Sequence, residues 1–376
     1  MKKRKEITEK KLRPRMVLVS CVLAVSVLAS GCGSASEDTT SNYALGMQAL
    51  SDGSYSDAYS YFQSAISSEG REAEGLRGQG IAQLRQGNYE VAVQCFESAQ
   101  DAVVYPDQNE AFLTDCQLYE AEAYVELEQY DKALAIYDDH LDGDYAGEVY
   151  LLRGRIYLLT EKYGQAAADF QRAVEDDPSY ETYLHIYDMY VDANRQADGA
   201  VFLKDALSIE PQSSDDYYQL GKICYELADY ESAEQYLSKA VDADVDGAIA
   251  LLGETYLEAG DVDGARSMYQ QCVDEKKSES AGYNGLALCS MEDGDTDQAL
   301  EYIESGLASS DTTMREALLY NEIVIYEKKG DFETAQSKMA SFLEEYPSNE
   351  TAQHESTYID SRVQEMNASA PEKVIE

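Results

Sequence analysis

Residues 46–65 read GMQALSDGSYSDAYSYFQSA, and residues 80–99 read GIAQLRQGNYEVAVQCFESA. Six positions that hold glycine, alanine or an aromatic residue are identical when the first stretch is aligned with the second. The matching pairs are Gly46/Gly80, Gly53/Gly87, Tyr55/Tyr89, Ala58/Ala92, Phe62/Phe96 and Ala65/Ala99. A fixed period of about 34 residues indicates a solenoid, in which each unit is one supersecondary element and neighbouring units stack to bury a continuous core.

A small residue of the second helix recurs along the chain and marks nine such units. Its positions, which follow one another at nearly regular spacing, are Ala58, Ala92, Ala133, Ala166, Gly199, Ala233, Ala265, Ala299 and Ala335. A glycine in the middle of the first helix recurs in five units, as Gly46, Gly80, Gly154, Gly221 and Gly253. Because a larger side chain at either place would push the paired helices apart, we expect these helices to approach closely.

Two places depart from this register. Unit five carries Tyr187 and Gly199 where a small first-helix residue and an alanine recur elsewhere, which makes it the weakest unit of the series. Seven extra residues around positions 103–109, with Pro106 among them, lengthen the connection between units two and three. This longer connection is a candidate bend or contact point.

The pattern resembles the tetratricopeptide repeat family over residues 42–349. The resemblance implies an all-α superhelical solenoid of about nine helix-turn-helix repeats, with a concave groove lined by the first helices. Residues 350–366 are predicted to form a polar capping helix, which a solenoid needs at its end. Residues 367–376 are predicted to be a disordered tail.

The start of the chain has the pattern of a signal peptide. Eight Lys and Arg residues within positions 1–15 precede an apolar run at 16–29, which is too short for a membrane-spanning helix. The following residues Leu28-Ala29-Ser30-Gly31-Cys32 resemble a lipoprotein lipobox, which implies removal of residues 1–31 and diacylation of Cys32, with palmitate or a similar chain. Residues 32–41 would then be the lipidated cysteine and a flexible tether. An ordinary secretory cleavage site and an uncleaved signal anchor are the alternatives.

The composition is strongly acidic. The chain has 29 Lys and Arg against 72 Asp and Glu, and removal of residues 1–31 would leave 21 against 70, a net charge of −49. Such a chain would repel nucleic acid phosphates and anionic lipid headgroups. We therefore expect no nucleic acid partner, and we expect attachment to the membrane to depend on the lipid at Cys32.

The remaining residues carry little sign of catalysis or of a metal. The five cysteines outside the signal peptide and lipobox, Cys95, Cys116, Cys224, Cys272 and Cys289, are widely spaced and are predicted to be small buried hydrophobic residues. The three histidines lie far apart in the sequence, and no nucleophile, phosphate-loop or zinc motif occurs. We expect neither enzymatic activity nor a cofactor.

One segment matches part of a calcium-binding loop. Asp242, Asp244 and Asp246 alternate ahead of Gly247, as in the first half of an EF-hand. The acid that would close the loop should stand at position 253, which is Gly253. The segment is a weak calcium candidate, and a solvated acidic turn is the alternative.

The groove implied by the resemblance is the candidate binding site. Its predicted inward-facing residues of interest are Arg77, Arg85, Arg155, Tyr218, Lys222 and Tyr225. Cations are scarce in this chain, so the four basic residues could receive an acidic peptide segment. The alternative is that they are ordinary solvated groove residues. The groove lacks the repeated Lys and Asn set with which some members of this family hold a C-terminal carboxylate.

The function predicted from the sequence is that of a membrane-anchored scaffold for protein-protein or protein-peptide interaction in the bacterial cell envelope. Its expected location is the extracytoplasmic face of the cell membrane, and its expected partner is an envelope protein or peptide. The alternative function is an extracytoplasmic receptor for cationic peptides or calcium.

Overall fold

Nineteen α-helices make up the part of the chain that the structure describes, and no strand occurs among those residues. The structure is a computed structural model, and it describes residues 41–369. It divides into two compact units, an N-terminal unit that ends at Phe202 and a C-terminal unit that begins at Leu203. The all-α fold predicted from the sequence is confirmed.

The N-terminal unit contains the first five repeats. Its helices are α1 (Asn42–Ser51), α2 (Tyr55–Glu69), α3 (Glu72–Arg85), α4 (Tyr89–Asp101), α5 (Glu110–Glu126), α6 (Tyr130–Asp138), α7 (Ala146–Leu159), α8 (Tyr163–Asp176), α9 (Tyr180–Asp192) and the first part of α10 (Gln196–Ala206). A short 3₁₀ helix, Pro106–Gln108, precedes α5. Odd-numbered helices are the first helices of their repeats, and even-numbered helices are the second.

The C-terminal unit contains the last four repeats and a final helix. Its helices after α10 are α11 (Ser214–Glu226), α12 (Tyr230–Asp242), α13 (Ala248–Ala259), α14 (Val262–Glu275), α15 (Glu279–Glu292), α16 (Thr296–Ala308), α17 (Arg315–Lys329), α18 (Phe332–Glu345) and α19 (Glu350–Ser369). Within each unit, helices pack on their neighbours along the chain, as expected of a solenoid.

One left-handed residue ends the first helix of every repeat. These nine residues, each five positions before the recurring small residue, are Gly53, Gly87, Glu128, Glu161, Asn194, Ala228, Gly260, Gly294 and Gly330. A left-handed residue stops a helix and turns the chain back, which allows the second helix to fold against the first. Four of the nine are not glycine, so four turns hold an L side chain in a conformation that costs about 1 kcal/mol.

The core of each repeat is built on two residues of its second helix, which are the small residue and a large residue four positions later. The large residues, all of them buried, are Phe62, Phe96, Tyr137, Phe170, Leu203, Leu237, Tyr269, Ile303 and Met339. Gly154 shows why the first helix needs a glycine, because a Cβ there would lie 2.5 Å from the ring of Phe170. The close approach predicted from the small residues is confirmed, since the ring of Phe170 fills the space that a side chain at Gly154 would need.

Repeat five keeps the same packing with its residue sizes exchanged. Tyr187 stands at the first-helix glycine position, and Gly199 stands in the second helix opposite it. A Cβ on Gly199 would lie 3.0 Å from the ring of Tyr187 and 2.8 Å from the Cβ of Tyr190. The departure that weakens the repeat in the sequence is therefore a compensated exchange of a large and a small residue.

Helix α19 covers the end of the last repeat. Ala352, Ile359 and Val363 of α19 are buried against the core residues of α17 and α18, such as Phe342. The helix was expected over residues 350–366, and it continues to Ser369. Residues 367–369, predicted to belong to a disordered tail, are thus helical. The sequence has no proline or glycine to stop the helix before Pro371. Residues 370–376 lie outside the described part.

The five cysteines predicted to be hydrophobic fillers are free thiols. Cys116, Cys224, Cys272 and Cys289 are buried, and Cys95 is half-buried. Burial raises the pKa of the Cys116 thiol to about 12 and those of Cys224, Cys272 and Cys289 to about 11. These four side chains are therefore neutral and act as small core residues.

The predicted signal peptide at 1–31, the lipid site Cys32 and the tether up to residue 40 lie outside the described residues. Between residues 41 and 369, no helix has the length and apolar character required to cross a membrane.

Candidate functional site

Ion pairs join the first helices of successive repeats in the N-terminal unit. Arg77 of α3 contacts Asp115 of α5, with Nη1 2.7 Å from Oδ2. Arg85, two turns further along α3, lies 3.6 Å from Glu122 of α5. Arg155 of α7 reaches back to Glu126 of α5 at 3.3 Å. The helical spacing within α3 and within α5 places these groups on one surface, which we call the first-helix face.

The pair nearest the start of this face is largely removed from solvent. The side chains of Arg77 and Asp115 are 16% and 22% exposed. Arg77 also lies over the ring of Phe112 at 5.3 Å, and its buried Nε atom has no hydrogen-bond partner. Burial raises the pKa of the Asp115 carboxyl, and Arg77 opposes that rise. Its Nη2 atom donates a hydrogen bond to the hydroxyl of Tyr43 at 3.5 Å. The guanidinium is thus held by one carboxylate, one ring and one hydroxyl.

The second pair has the most deeply buried acid of the face. Glu122 is 6% exposed as a residue, and burial raises the pKa of its carboxyl while Arg85 and Arg155 lower it. Its charge is tolerated because two guanidinium groups lie close to it. Removal of either arginine would leave a buried carboxylate with weaker compensation.

Glu148 is the carboxylate of this face that has no cation of its own. It lies in the first turn of α7, seven residues before Arg155 and therefore on the same side of that helix. It forms no ion pair or hydrogen bond with any residue between 41 and 369. Burial, together with the nearby charges of Asp115 and Glu122, raises the pKa of Glu148 to about 7. Four carboxylates therefore face three guanidinium groups here.

His185 of α9 lies at the other end of the face. Its side chain is half-buried, and burial together with the positive charge of Arg155 lowers the pKa of its imidazole. The ring is therefore neutral near pH 7 and adds no cation to the face.

The structure brings together only part of the site predicted from the sequence. Arg77, Arg85 and Arg155 share the first-helix face, and each is paired with a carboxylate of the adjacent repeat. Sequence reasoning missed the acids Asp115, Glu126 and Glu148 as members of this face. The available signal was their spacing within a helix. Asp115 lies eleven residues before Glu126, and Glu148 lies seven residues before Arg155, which places each pair on one side of its helix.

The other three predicted residues lie in the C-terminal unit, on α11. Tyr218, Lys222 and Tyr225 follow one another at helical spacing and are half-buried. Tyr225 packs near Tyr230, with ring centroids 6.1 Å apart. Lys222 forms no ion pair within the described chain. Burial, with a smaller contribution from Asp246 and Glu254, raises the pKa of the Tyr218 hydroxyl.

Neutral side chains join two first helices further along the C-terminal unit. The side-chain amide of Asn321 in α17 donates to the side-chain oxygen of Asn284 in α15 at 2.8 Å. Asn284 is buried, at 7% exposure. Near the start of α15, Ser280 contacts Thr313, with their hydroxyl oxygens 2.9 Å apart. Amides and hydroxyls here take the place that ion pairs take in the N-terminal unit.

The weak calcium candidate gains no support from the geometry. Asp244, which has a left-handed backbone, pairs with Lys277, and Asp246 accepts a hydrogen bond from the backbone N–H of Gly247 at 3.1 Å. Across residues 41–369, no group of three His, Cys, Asp or Glu side chains is placed to hold a metal ion. Asp242, Asp244 and Asp246 form an acidic turn between α12 and α13.

Comparison with known families agrees with this repeat geometry. A model described as tetratricopeptide repeat matches residues 43–103, 118–181 and 250–312. Two further models with the same description match residues 217–244 and 317–349. The chain belongs to the tetratricopeptide repeat family. Residues 182–216, which include much of the exchanged fifth repeat, fall outside these matches.

Several solved structures resemble this chain. Yeast Tom70 shares 15% identity and a TM-score of 0.50, and the match covers 80% of this chain and 66% of Tom70. A tetratricopeptide repeat protein from Parabacteroides merdae shares 15% identity with a TM-score of 0.40, over 76% of this chain and 95% of that one. PilW, a type IV pilus biogenesis factor, shares 18% identity with a TM-score of 0.39, over 56% and 99%. No curated protein matches the chain. At these identities the likeness concerns the fold alone.

Proposed function

We propose that this tetratricopeptide repeat protein is an interaction scaffold that holds a basic segment of a partner protein on the first-helix face of its N-terminal unit. The observation that carries the proposal is Glu148, a half-buried carboxylate with no cation of its own beside Asp115 and Glu122. A Lys or Arg side chain from a partner would supply the charge that this position lacks. The fold supports a scaffold in general, since repeat solenoids present extended binding surfaces.

The sign of the partner's charge follows from the ion pairs. Arg77, Arg85 and Arg155 were candidates for binding an acidic peptide, but each already has a carboxylate from the neighbouring repeat. An acidic segment would have to displace those carboxylates and would meet the surplus charge of Glu148. A basic segment meets no such competition, and it agrees with the acidic composition of the whole chain.

The same chemistry would suit a receptor for free cationic peptides. The two functions differ in whether the basic segment belongs to a folded protein. We favour the scaffold, because the three ion pairs fix successive first helices relative to each other and so present a preorganised extended surface.

A peptide selection tests the proposed face. Random peptides of a dozen residues displayed on phage are selected on the purified chain at pH 8 and near-physiological salt, and the enriched peptides are synthesised and titrated. Lys and Arg should be enriched, and Glu148→Gln should weaken binding about tenfold, which corresponds to about 1.4 kcal/mol. Lowering the pH to 6 should weaken wild-type binding in the same direction, because Glu148 then takes up a proton.

Glu181→Gln is the matched control for this selection. Glu181 lies in the first turn of the next first helix, α9, but is exposed. Its replacement should leave the affinity within about twofold of wild type. Enrichment of acidic or purely apolar peptides, or equal losses in the two variants, would contradict the proposed face.

We further propose that the scaffold is anchored at Cys32 to the extracytoplasmic face of a bacterial membrane. The lipobox-like sequence before Cys32 supports this location. Helix α1 begins at Asn42, so a tether of ten residues would keep the N-terminal unit within about 30 Å of the lipid.

Metabolic labelling tests the anchor. Cells fed an alkyne analogue of palmitate should label the wild-type chain and leave Cys32→Ser unlabelled, and the variant should move from the membrane to the soluble fraction. Protease added to cells stripped of their wall or outer membrane should degrade the chain without lysis. A Cys32→Ser variant that stays labelled and membrane-bound would disprove the lipid site.

A further inference from the structure

The connection between α4 and α5 displays two large apolar side chains to solvent. Val104 is 77% exposed and Tyr105 is 64% exposed, the two highest values for large hydrophobic residues in the described chain. Both lie in the extension that interrupts the regular repeat period. Since loops at a protein surface are usually polar, an exposed Val-Tyr pair at the tip of an extension suggests a contact site.

Hydrogen bonds hold this loop in shape without using the two apolar side chains. The backbone N–H of Gln108 donates to the carbonyl of Tyr105 at 3.1 Å, and that of Asn109 donates to the carbonyl of Pro106 at 2.9 Å. The side-chain amide of Asn109 also donates to the Tyr105 carbonyl at 2.9 Å. The proline ring fixes one further backbone angle. The pair is therefore presented in an ordered loop, which lowers the entropy lost on binding.

The charged residues that flank the apolar pair along the chain are all acidic. Asp101, Asp107 and Glu110 are exposed on either side of it. No Lys or Arg occurs between Arg85 and Lys132. An anionic lipid surface and a second copy of this acidic chain would both be repelled at this position. A basic rim around an apolar pocket would be attracted.

We propose that Val104 and Tyr105 form a docking tip that inserts into an apolar pocket bordered by Lys and Arg on a partner protein. The tip has no residue in common with the first-helix face. It would give the scaffold a second binding site, so that one chain could hold two proteins or could hold one protein at two places. The aromatic ring would be the anchor, and the acidic flank would set the approach and the specificity.

Site-specific crosslinking followed by reconstitution tests the tip. A photoreactive phenylalanine is placed at position 104 or 105 of the full chain in its native cells, and at Val91 as a control. Val91 is an exposed valine, at 43%, on the second helix α4. The protein that crosslinks at 104 and 105 but not at 91 is then purified and titrated with the solubilised full chain at near-physiological salt.

The variants decide the outcome of the titration. The double variant Val104→Asp with Tyr105→Ser should raise the Kd at least tenfold, and Tyr105→Ser alone should raise it about threefold. Val91→Asp should change the Kd less than twofold. Asp101→Asn with Asp107→Asn should slow association at low salt, since charges at the edge of an interface act mainly on the association rate. Glu148→Gln should have no effect on this binding.

Four results would overturn the proposal. The first is crosslinking at 104 and 105 no stronger than at 91, and the second is a purified partner that binds the tip variants as it binds wild type. The third is crosslinking of the tip to a second copy of this chain. The fourth is binding to lipid, tested with the full chain carrying Cys32→Ser and vesicles of phosphatidylcholine and phosphatidylglycerol in a molar ratio of seven to three. The proposal fails if this chain sediments with the vesicles and the same chain with Val104→Asp added does not. That result would assign the tip to a lipid surface.

Discussion

The first helices of the two units are joined by different chemistry. In the N-terminal unit, three guanidinium groups and four carboxylates lie on the first-helix face, and they include the half-buried Arg85 paired with the buried Glu122. In the C-terminal unit, α15 and α17 are joined by the amides of Asn284 and Asn321. Several cations of the C-terminal unit instead pair with acids in exposed turns, as Lys277 does with Asp244.

This difference separates the requirements of the fold from those of the surface. Both units use the same core, in which a small residue and a large residue four positions later are buried in every repeat. The first-helix residues on the side away from this core are not determined by it, and they differ between the units. The charged face of the N-terminal unit is therefore a place where selection for a partner could act without changing the small and large residues of the core.

The largest expected effect comes from breaking one ion pair. Asp115→Asn should lower the free energy of unfolding by about 2–3 kcal/mol, because Arg77 is left mostly buried without its countercharge. Urea denaturation followed by hydrogen exchange on α3 and α5 measures the loss and its location. Arg77→Met combined with Asp115→Leu should recover most of it, since neither charge then remains. A loss below about 0.5 kcal/mol in the single variant, as for an ordinary exposed ion pair, would show that the pair is not a structural link.

The second expected effect is a pH dependence confined to the N-terminal unit. The pKa of Glu148 is raised from its ordinary value to about 7 in the folded state. Between about pH 4.5 and 7 the folded state holds a proton that the unfolded state has released, so stability falls as the pH rises through this range. Glu148→Gln removes this loss.

Measurements at two pH values test that effect. After allowance for solvent screening of a half-buried group, Glu148→Gln should be more stable than wild type by about 1–2 kcal/mol at pH 8 and about equal to it at pH 4.5. The charged groups to be considered with this carboxyl are the nearby acids and the paired arginines of the same face, namely Asp115, Glu122, Arg77, Arg85 and Arg155. A Gln variant that is less stable at pH 8 would mean that Glu148 has a cationic partner.

A smaller and pH-independent effect is expected for the neutral link of the C-terminal unit. Asn321→Ala should cost about 1 kcal/mol, because the buried amide of Asn284 loses its hydrogen-bond donor. The loss should be the same at pH 5 and pH 8, in contrast to the behaviour of Glu148→Gln. Thermal unfolding at both pH values gives the comparison, and a pH-dependent loss would place an unrecognised charge in this region.

The smallest expected effects concern the turns within repeats, where both units use left-handed residues. Glu128→Gly should raise stability by about 0.5–1 kcal/mol, because glycine adopts this conformation without steric cost. Gly260→Ala, the reverse change in the C-terminal unit, should lower it by about 1 kcal/mol. The midpoints of urea denaturation report both changes. Equal signs for the two variants would mean that turn conformation does not determine these differences.

The sequence predicted the repeat core well because that core depends on local spacing. Each small residue and its large neighbour belong to one helix, and the glycine that meets the ring lies in the helix just before it, as Gly154 does for Phe170. Repeat five was identified as irregular, but its compensation was not. The exchange between Tyr187 and Gly199 depends on how two side chains fill one volume, which the spacing alone does not show.

The candidate site was less predictable, because its contacts join residues of different repeats. Arg77 and Asp115 are 38 positions apart, and the seven-residue extension lies between them. The repeat period predicted that the arginines share a face but could not show which acids they meet. Glu148 was missed because an acid in the first turn of a helix is usual and needs no further explanation.

The four buried thiols can report how fast individual repeats open. Cys116 lies in repeat three, Cys224 in repeat six, Cys272 in repeat seven and Cys289 in repeat eight, and each thiol is protected as long as its repeat stays closed. Because no disulfide joins them, an alkylating reagent added for a short time would mark each repeat at the rate at which it opens. The order in which the four cysteines become modified would be the order in which the solenoid comes apart.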